Sequence, residues 1–255
     1  MYRFLTRPIW VLFALIVATV TYTFMSLGFW QLDRLAERRF ENTISEQRAN
    51  QEPVPIEAVL SVDDPIDQAG EEHSFRTVTM TGHFDAGHEV LVRSQTYDGT
   101  AGFHVLTPFV GDQDRALLVN QGWIPLTEDT PPFSAPDDAD RTITVTLAAS
   151  QTRSGFGPAE PDGVLQRINR VDIARLSEQM PYLLYPVYGI AYGEPDPSHL
   201  PIKIAFPEFN EGPHLVYAIQ WFTFAATAVL GYGALVRSTA KKEAKSTRGR
   251  VGSGT

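Results

Sequence analysis

Two uncharged apolar segments, one near each end of the chain, constrain its fold more than any other feature. Residues 9–30 and residues 215–236 each contain 22 residues and no Asp, Glu, Lys or Arg. A helix of about 20 apolar residues is long enough to span the roughly 30 Å of hydrocarbon in a bilayer. The pattern predicts transmembrane helices at residues 9–32 and 214–236. The alternative for each is a helix buried in a protein core.

The first segment is expected to remain as an anchor. Its apolar run is longer than that of a typical signal peptide, and no small-x-small cleavage pattern follows it. No Arg- and Ser-rich presequence lies ahead of it. We therefore predict insertion in a bacterial inner membrane.

Charge is distributed unevenly around these segments. Residues 1–8 carry +2 and residues 237–255 carry +5, so a chain with a net charge of -9 leaves -16 on residues 33–213. Basic tails inside and an acidic domain outside follow the positive-inside rule. We predict that both termini are cytoplasmic, that residues 33–213 form a periplasmic domain, and that the basic tail is disordered. Three arginines directly after the first segment oppose this orientation: Arg34, Arg38 and Arg39.

The region between the segments has the pattern of a β-rich domain. Residues 171–180 are predicted to form a helix with Asp172 near its N-terminus, and the first helix should continue past the membrane towards Pro53. Two Pro-rich acidic stretches, 127–140 and 154–163, are predicted to be solvated loops. Short segments rich in β-branched residues, bounded by turn signals, predict strands at 74–84, 88–95, 102–110, 115–126, 141–150 and 182–192.

The fold class is therefore a membrane protein in which two terminal transmembrane helices flank a mainly antiparallel, barrel- or sandwich-like α+β domain.

Several functional classes lack their required residues. The sequence has no cysteine, which excludes a disulfide scaffold, a zinc ribbon and a thiolate copper carrier. No nucleophile elbow, H-E-x-x-H or phosphate-loop motif occurs, so we expect no enzyme. The negative charge argues against nucleic acid as a partner. His83 and His88 could form a surface metal site, although solvated turn residues are the simpler interpretation.

His214 stands at the start of the second apolar segment. Helical spacing places Tyr217 and Trp221 on its face. A neutral imidazole here could ligate haem iron, or these residues could form an ordinary interfacial belt.

Each apolar segment also carries a stripe of small and polar residues. These stripes are expected to pack together, or alternatively to hold a hydrophobic ligand. They comprise Thr19, Thr23, Ser26 and Trp30 in the first segment and Thr223, Thr227 and Gly231 in the second.

Four blocks of sequence resemble the Surfeit-locus family of cytochrome c oxidase assembly factors (the Shy-type proteins). LGFWQLDRLAERR, with Trp30 and Arg34, resembles the family's Gly-x-Trp-Gln-x-x-Arg. GHFDAGHEVLVRSQ with GFHVLTPF, LLVNQGWIP and HLVYAIQWF resemble its later blocks, in the same order. One difference is Gln121, which stands where the family usually has Arg.

The resemblance implies an assembly factor that binds haem a and assists its insertion into the catalytic subunit of a haem-copper oxidase. The expected partners are that subunit, the lipid bilayer and, as a further candidate, a haem a synthase. His214 would be the axial ligand, and the other cofactor-binding candidates are Tyr217, Trp221, Trp30 and Arg34. The alternatives are a cofactor-free scaffold for oxidase intermediates and an anchored periplasmic sensor or hydrolase.

Overall fold

The computed structural model describes residues 2–128, 130, 132–133, 139–152 and 163–251. The chain divides into two compact units, one formed by Met1–Asn42 with Asn210–Thr255 and the other by Thr43–Phe209. The elements are α1 (Pro8–Ala49), β1 (Val54–Pro55), α2 (Ile66–His73), β2 (Thr77–Phe84), β3 (Val90–Tyr97), β4 (Thr100–Val110), β5 (Arg115–Pro125), β6 (Arg141–Ala149), β7 (Arg167–Ile168), α3 (Ile173–Ser177), β8 (Leu183–Ile190) and α4 (His214–Val251).

Helices α1 and α4 contain the two apolar segments. Both are long and apolar enough to cross a bilayer. Their apolar side chains are largely exposed, for example Ile9 and Leu230, each at 72%. A core helix of a soluble protein would bury such side chains, so this exposure disagrees with the buried-core alternative.

The two helices form an antiparallel pair through aromatic and small residues. The rings of Phe24 and Trp221 stack with centroids 5.6 Å apart. Gly28 is buried, and a Cβ at this position would lie 2.6 Å from the ring of Phe222. The absence of a side chain at Gly28 therefore allows the aromatic ring to approach the backbone of α1.

The predicted packing of the two polar stripes is wrong. The Thr, Ser and Gly members of both stripes are exposed, whereas the residues buried between α1 and α4, such as Gly28 and Ala225, lie on other faces. The Thr23 hydroxyl donates to the carbonyl of Thr19 at 2.9 Å, and that of Thr227 to the carbonyl of Thr223 at 2.8 Å. Because these hydroxyls are satisfied within their own helices, they need no partner helix.

The C-terminal tail also differs from the prediction. Helix α4 continues to Val251, so the expected disorder of residues 241–255 is wrong as far as that residue. Lys, Glu, Ala and Arg are strong helix formers, and no proline follows Pro213 to end the helix. Residues 252–255 lie outside the described part of the chain.

The β domain is an eight-stranded sheet in the order β1-β2-β6-β8-β5-β4-β3-β7. An additional antiparallel pairing of β2 with β4 joins His83 to Val110 and Phe84 to Phe109. This pairing closes β2, β6, β8, β5 and β4 into a barrel. Most strand pairs are antiparallel, and the parallel pairs are β1–β2, β3–β7 and β5–β8. The prediction of a mainly antiparallel, barrel-like domain is therefore confirmed.

Strand β5 lies at the centre of the domain and is apolar on both faces. Leu117 and Val119 belong to one buried cluster, which includes Ala69 of α2. Ala116 and Leu118 belong to another, which includes residues of α3. Alternate residues of a strand point to opposite faces, so β5 contributes to both clusters.

All six predicted strands are present with small shifts at their ends. The helix predicted at 171–180 is confirmed as α3, and the carboxylate of Asp172 caps it by accepting from the amide of Arg175 at 3.2 Å. Strands β1 and β7 and helix α2 were not predicted. Much of the two predicted loops, at residues 129, 131, 134–138 and 154–162, lies outside the described residues.

Candidate functional site

A polar cleft lies where α1 extends beyond its apolar segment. Its volume is about 310 Å³. The residues of α1 that line it recur every three or four positions, which places them on one face of the helix. The lining comprises Trp30, Arg34, Glu37, Arg38, Glu41 and His214.

His214 is oriented by a residue of the other helix. Its Nδ1 lies 2.8 Å from Oε1 of Gln31. Because a carbonyl oxygen only accepts hydrogen bonds, the imidazole donates its proton from Nδ1. The Nε2 atom of neutral His214 then carries the lone pair. A hydrogen bond of this kind fixes the tautomer and the ring orientation of a metal-ligating histidine.

The charged residues of the cleft form two ion pairs along α1. Arg34 lies 2.6 Å from Glu37, and Arg38 lies 3.2 Å from Glu41. The guanidinium carbon of Arg34 is 5.9 Å from the ring centroid of Trp30. All four charged side chains are more than half exposed. Such pairs contribute little to stability, and the arginines can therefore accept another anion at small cost.

The cleft contains three of the five predicted cofactor residues, namely His214, Trp30 and Arg34. Tyr217 and Trp221 are not among the described residues that line the cleft. Tyr217 is 46% exposed, and Trp221 packs on Phe24 within the helix pair. A role of either residue in cofactor binding stays a prediction.

Gln31 and three charged residues of the cleft, Glu37, Arg38 and Glu41, were not among the predicted site residues. Gln31 lies inside the LGFWQLDRLAERR block, directly after Trp30. The acidic residues follow the spacing of Trp30 and Arg34 along the helix, so periodicity could have indicated them. No pattern in the sequence pairs Gln31 with His214.

The histidines of the β domain have local partners. Nδ1 of His88 lies 2.7 Å from the carboxylate of Asp85, and that of His83 lies 3.6 Å from Asp140. Within the described ranges, no group of three or more His, Cys, Asp or Glu residues could hold a metal ion. The structure therefore adds no support to a metal site at His83 and His88.

The LLVNQGWIP block forms part of the barrel. The Asn120 side chain accepts from the amide of Gly122 at 3.1 Å and donates to Nδ1 of His104 at 3.1 Å. Trp123 is 6% exposed, as expected of a residue that stabilises the fold. The Nε2 atom of Gln121 is buried and has no acceptor in the part of the chain that the structure describes.

Comparisons with known proteins agree with the sequence blocks. Residues 18–226 match the sequence model of the SURF1 family. An uncharacterized SURF1-like protein of Mycobacterium tuberculosis (strain ATCC 25618 / H37Rv) is 30% identical over 90% of this chain and 84% of its own length. A SURF1-like protein of Rickettsia felis is 27% identical over 85% of this chain and 94% of its own. The cytochrome oxidase assembly protein SHY1 of Saccharomyces cerevisiae is 30% identical over 38% of this chain and 24% of its own.

Proposed function

Because the chain belongs to the SURF1 family, we propose that it is an assembly factor for a haem-copper terminal oxidase. It binds haem a as a cargo and assists its insertion into the catalytic subunit. The name of the yeast relative, a cytochrome oxidase assembly protein, supports the role in oxidase assembly. The proposal that the chain binds haem a depends on the cleft at His214.

The observation that carries haem binding is the hydrogen bond between His214 and Gln31. This bond leaves a lone pair on Nε2 of the neutral imidazole. A nitrogen of this kind is the group that binds haem iron as an axial ligand. The same cleft contains the half-exposed ring of Trp30 and the cation of Arg34. These groups suit the face of a porphyrin and the carboxylate of a propionate. Three residues of the cleft thus supply an iron ligand, a ring surface and a cation that suit the iron, the porphyrin face and a propionate of the cargo.

The cleft also suits release of its cargo. His214 is the one histidine among its described lining residues, so the iron would have a single protein ligand here. Arg34 and Arg38 are exposed and already paired with glutamates. A glutamate can replace a departing carboxylate on either arginine without leaving a buried charge.

We further propose that α1 and α4 cross a bacterial inner membrane with both termini in the cytoplasm. The exposed apolar side chains support the crossing of the membrane. The distribution of charge supports the orientation with both termini in the cytoplasm. The three arginines after the first segment, which oppose it, each lie beside a glutamate: Arg34 beside Glu37, Arg38 beside Glu41 and Arg39 beside Glu211.

Reporter fusions test the orientation. A reporter fused after Ala49 should give a periplasmic signal, and one fused at the C-terminus a cytoplasmic signal. A periplasmic signal at the C-terminus would overturn the proposed topology.

Haem binding is tested with the full chain purified in detergent from cells that make haem A. The parent should carry a haem absorption spectrum, and the His214→Ala variant should lose most of it. His199→Ala is the matched control, since His199 is 82% exposed and contacts Asp196 in its own loop. Equal haem content in the parent and in His214→Ala would contradict the ligand assignment.

The partners are tested by co-purification. The oxidase catalytic subunit, and a haem a synthase as a further candidate partner, should co-purify with the parent. Undiminished binding of the subunit in cells that make no haem A, together with a parent that carries no haem, would favour the cofactor-free scaffold.

A further inference from the structure

The chain that leads into α4 is held against α1 by side-chain contacts. We call residues 210–214 the anchored turn. Arg39 donates from Nε to one carboxylate oxygen of Glu211 at 2.8 Å and from Nη2 to the other at 2.9 Å. The Asn42 side chain donates to the carbonyl of Asn210 at 3.0 Å. Two residues of α1 therefore hold two consecutive residues of the turn.

Gly212 places the turn directly against the imidazole of His214. Its φ of +68° lies in the left-handed region, which favours glycine. The Asn210 side chain accepts from the Gly212 amide at 3.2 Å. A Cβ at residue 212 would lie 3.4 Å from Cδ2 and 3.5 Å from Nε2 of the His214 ring. A side chain at residue 212 would therefore touch the Nε2 edge of the ring, and glycine leaves that contact unmade.

The Arg39–Glu211 pair has the geometry of a strong ion pair at an exposed position. Two parallel N–H···O bonds give it a defined orientation. The hydrogen bond between them raises the pKa of Arg39 and lowers that of Glu211. Because both side chains are about half exposed, solvent and salt weaken the attraction. The pair thus orients the turn more than it stabilises the fold.

We propose that Arg39 and Glu211 are positioning residues for His214. They hold the anchored turn so that Nδ1 of His214 stays on Gln31 and Nε2 faces the cleft. The role in cargo binding rests on the proposed function, whereas the effect on the imidazole does not. If the pair is lost, a smaller fraction of molecules presents Nε2, and the apparent affinity for an axially bound ligand falls in proportion to that fraction.

The first test observes the imidazole without haem. Full-length protein labelled with ¹⁵N-histidine is prepared in detergent micelles without haem, and His214→Ala assigns the His214 signals. Arg39→Gln and Glu211→Gln should each shift the two ring-nitrogen signals of His214 towards a mixture of tautomers. The double variant R39E/E211R, which restores the pair in reverse, should bring them back towards the parent.

The second test is a titration of the same variants with haem, followed by absorbance. Each single variant should bind about two- to five-fold more weakly, the range that corresponds to an exposed ion pair. High salt should reduce the difference. The double variant should recover most of the affinity. Arg93→Gln is the matched control, since Arg93 is an exposed arginine of β3, and it should change neither the ring-nitrogen signals nor the affinity.

The outcomes separate the two proposals. Unchanged His214 signals in both single variants would overturn the positioning role, whatever the haem titration shows. A parent that binds no haem, combined with altered His214 signals in the variants and their rescue by the double variant, would support the positioning role and contradict haem binding. A double variant that behaves like the single variants would show that the two residues do not act as a pair.

Discussion

Nδ1 of His214 lies 2.8 Å from Oε1 of Gln31, a residue 183 positions earlier in the chain. The start of α4 is thereby oriented by α1 where its apolar segment ends. This contact selects which ring nitrogen donates a hydrogen bond and which carries a lone pair. A candidate ligand near one end of the chain thus depends on a residue near the other.

Gln31 should tune the binding and the redox potential of an iron at His214. In Gln31→Ala the imidazole loses its acceptor, and we expect a several-fold to tenfold loss of haem affinity, because hydrogen-bonded partners of metal ligands have effects of at least this size. In Gln31→Glu the carboxylate still accepts the hydrogen bond from Nδ1, and its charge makes Nε2 a stronger electron-pair donor to the iron. The reduction potential of bound haem should then fall, as measured by spectroelectrochemistry. A potential equal to that of the parent would indicate that Gln31 does not contact the ligand.

Gly28 should be intolerant of a side chain because Phe222 packs on it. In Gly28→Ala, the new Cβ would lie 2.6 Å from the Phe222 ring. Either the ring or the helix must move, and overpacking of this kind costs about 1–3 kcal/mol. Unfolding in detergent–SDS mixtures, followed by tryptophan fluorescence, measures this loss.

Gly231 provides the matched control for that substitution. It lies on the exposed side of α4, and a Cβ there would meet no atom within 4 Å. Gly231→Ala should therefore not lower the free energy of unfolding, and the better helix propensity of alanine should raise it by up to about 1 kcal/mol. Equal losses in the two variants would argue against close packing at Gly28.

Gly122 should be required for the contact between β5 and the segment around Ile202. Its φ is +140°, and a Cβ would lie 2.2 Å from the carbonyl oxygen of Ile202. The two hydrogen bonds that join Trp123 to Ile202, each 2.8 Å long, would have to open. We expect Gly122→Ala to lower the free energy of unfolding by about 3 kcal/mol or more, as measured by urea denaturation of the full chain.

Gly99 separates backbone strain from the clash at Gly122. Its φ is also positive, at +73°, but a Cβ there would have open space around it. Gly99→Ala should cost only about 1 kcal/mol, the strain of a non-glycine residue in that region. If Gly99→Ala costs as much as Gly122→Ala, the contact with Ile202 is not the cause.

His104 should make the β domain less stable in mild acid. Burial lowers the pKa of His104 to about 4 from the ordinary value of 6.5. The unfolded chain therefore takes up a proton below pH 6.5 that the folded state accepts only near pH 4. The stability that neutral His104 contributes to the folded state is complete above pH 6.5 and is lost as the pH falls to 4. This contribution amounts to about 3 kcal/mol at most. Urea denaturation at several pH values measures the slope.

His104→Gln is the informative comparison for this pH dependence. The hydrogen bond from Asn120 requires an unprotonated Nδ1 on His104, and a glutamine oxygen can accept the same bond without titrating. The stability of this variant should depend less on pH between 6.5 and 4. An undiminished slope would assign the acid sensitivity to another group.

The strands were predictable where alternation extends over many residues, as in β2 and β5. Strands β1 and β7 contain two residues each, which is too short for a period to appear. The closing contact between Phe84 and Phe109 was not predictable either. It joins two strand ends whose proximity depends on the twist of the whole sheet.

The sequence alone determined the two apolar segments, the uneven charge around them and the family blocks, because hydrophobicity and charge sum locally along a chain. It also gave His214, Trp30 and Arg34 as candidate site residues, which the structure places around one cleft. Only the tertiary structure decided which faces of α1 and α4 meet. In the polar stripes the hydroxyls of Thr23 and Thr227 donate within their own helices, while Gly28 and Phe222 fit each other in shape. The same packing brings Gln31 to His214, and a pairing across two helices has no local signature because it depends on the surface of both.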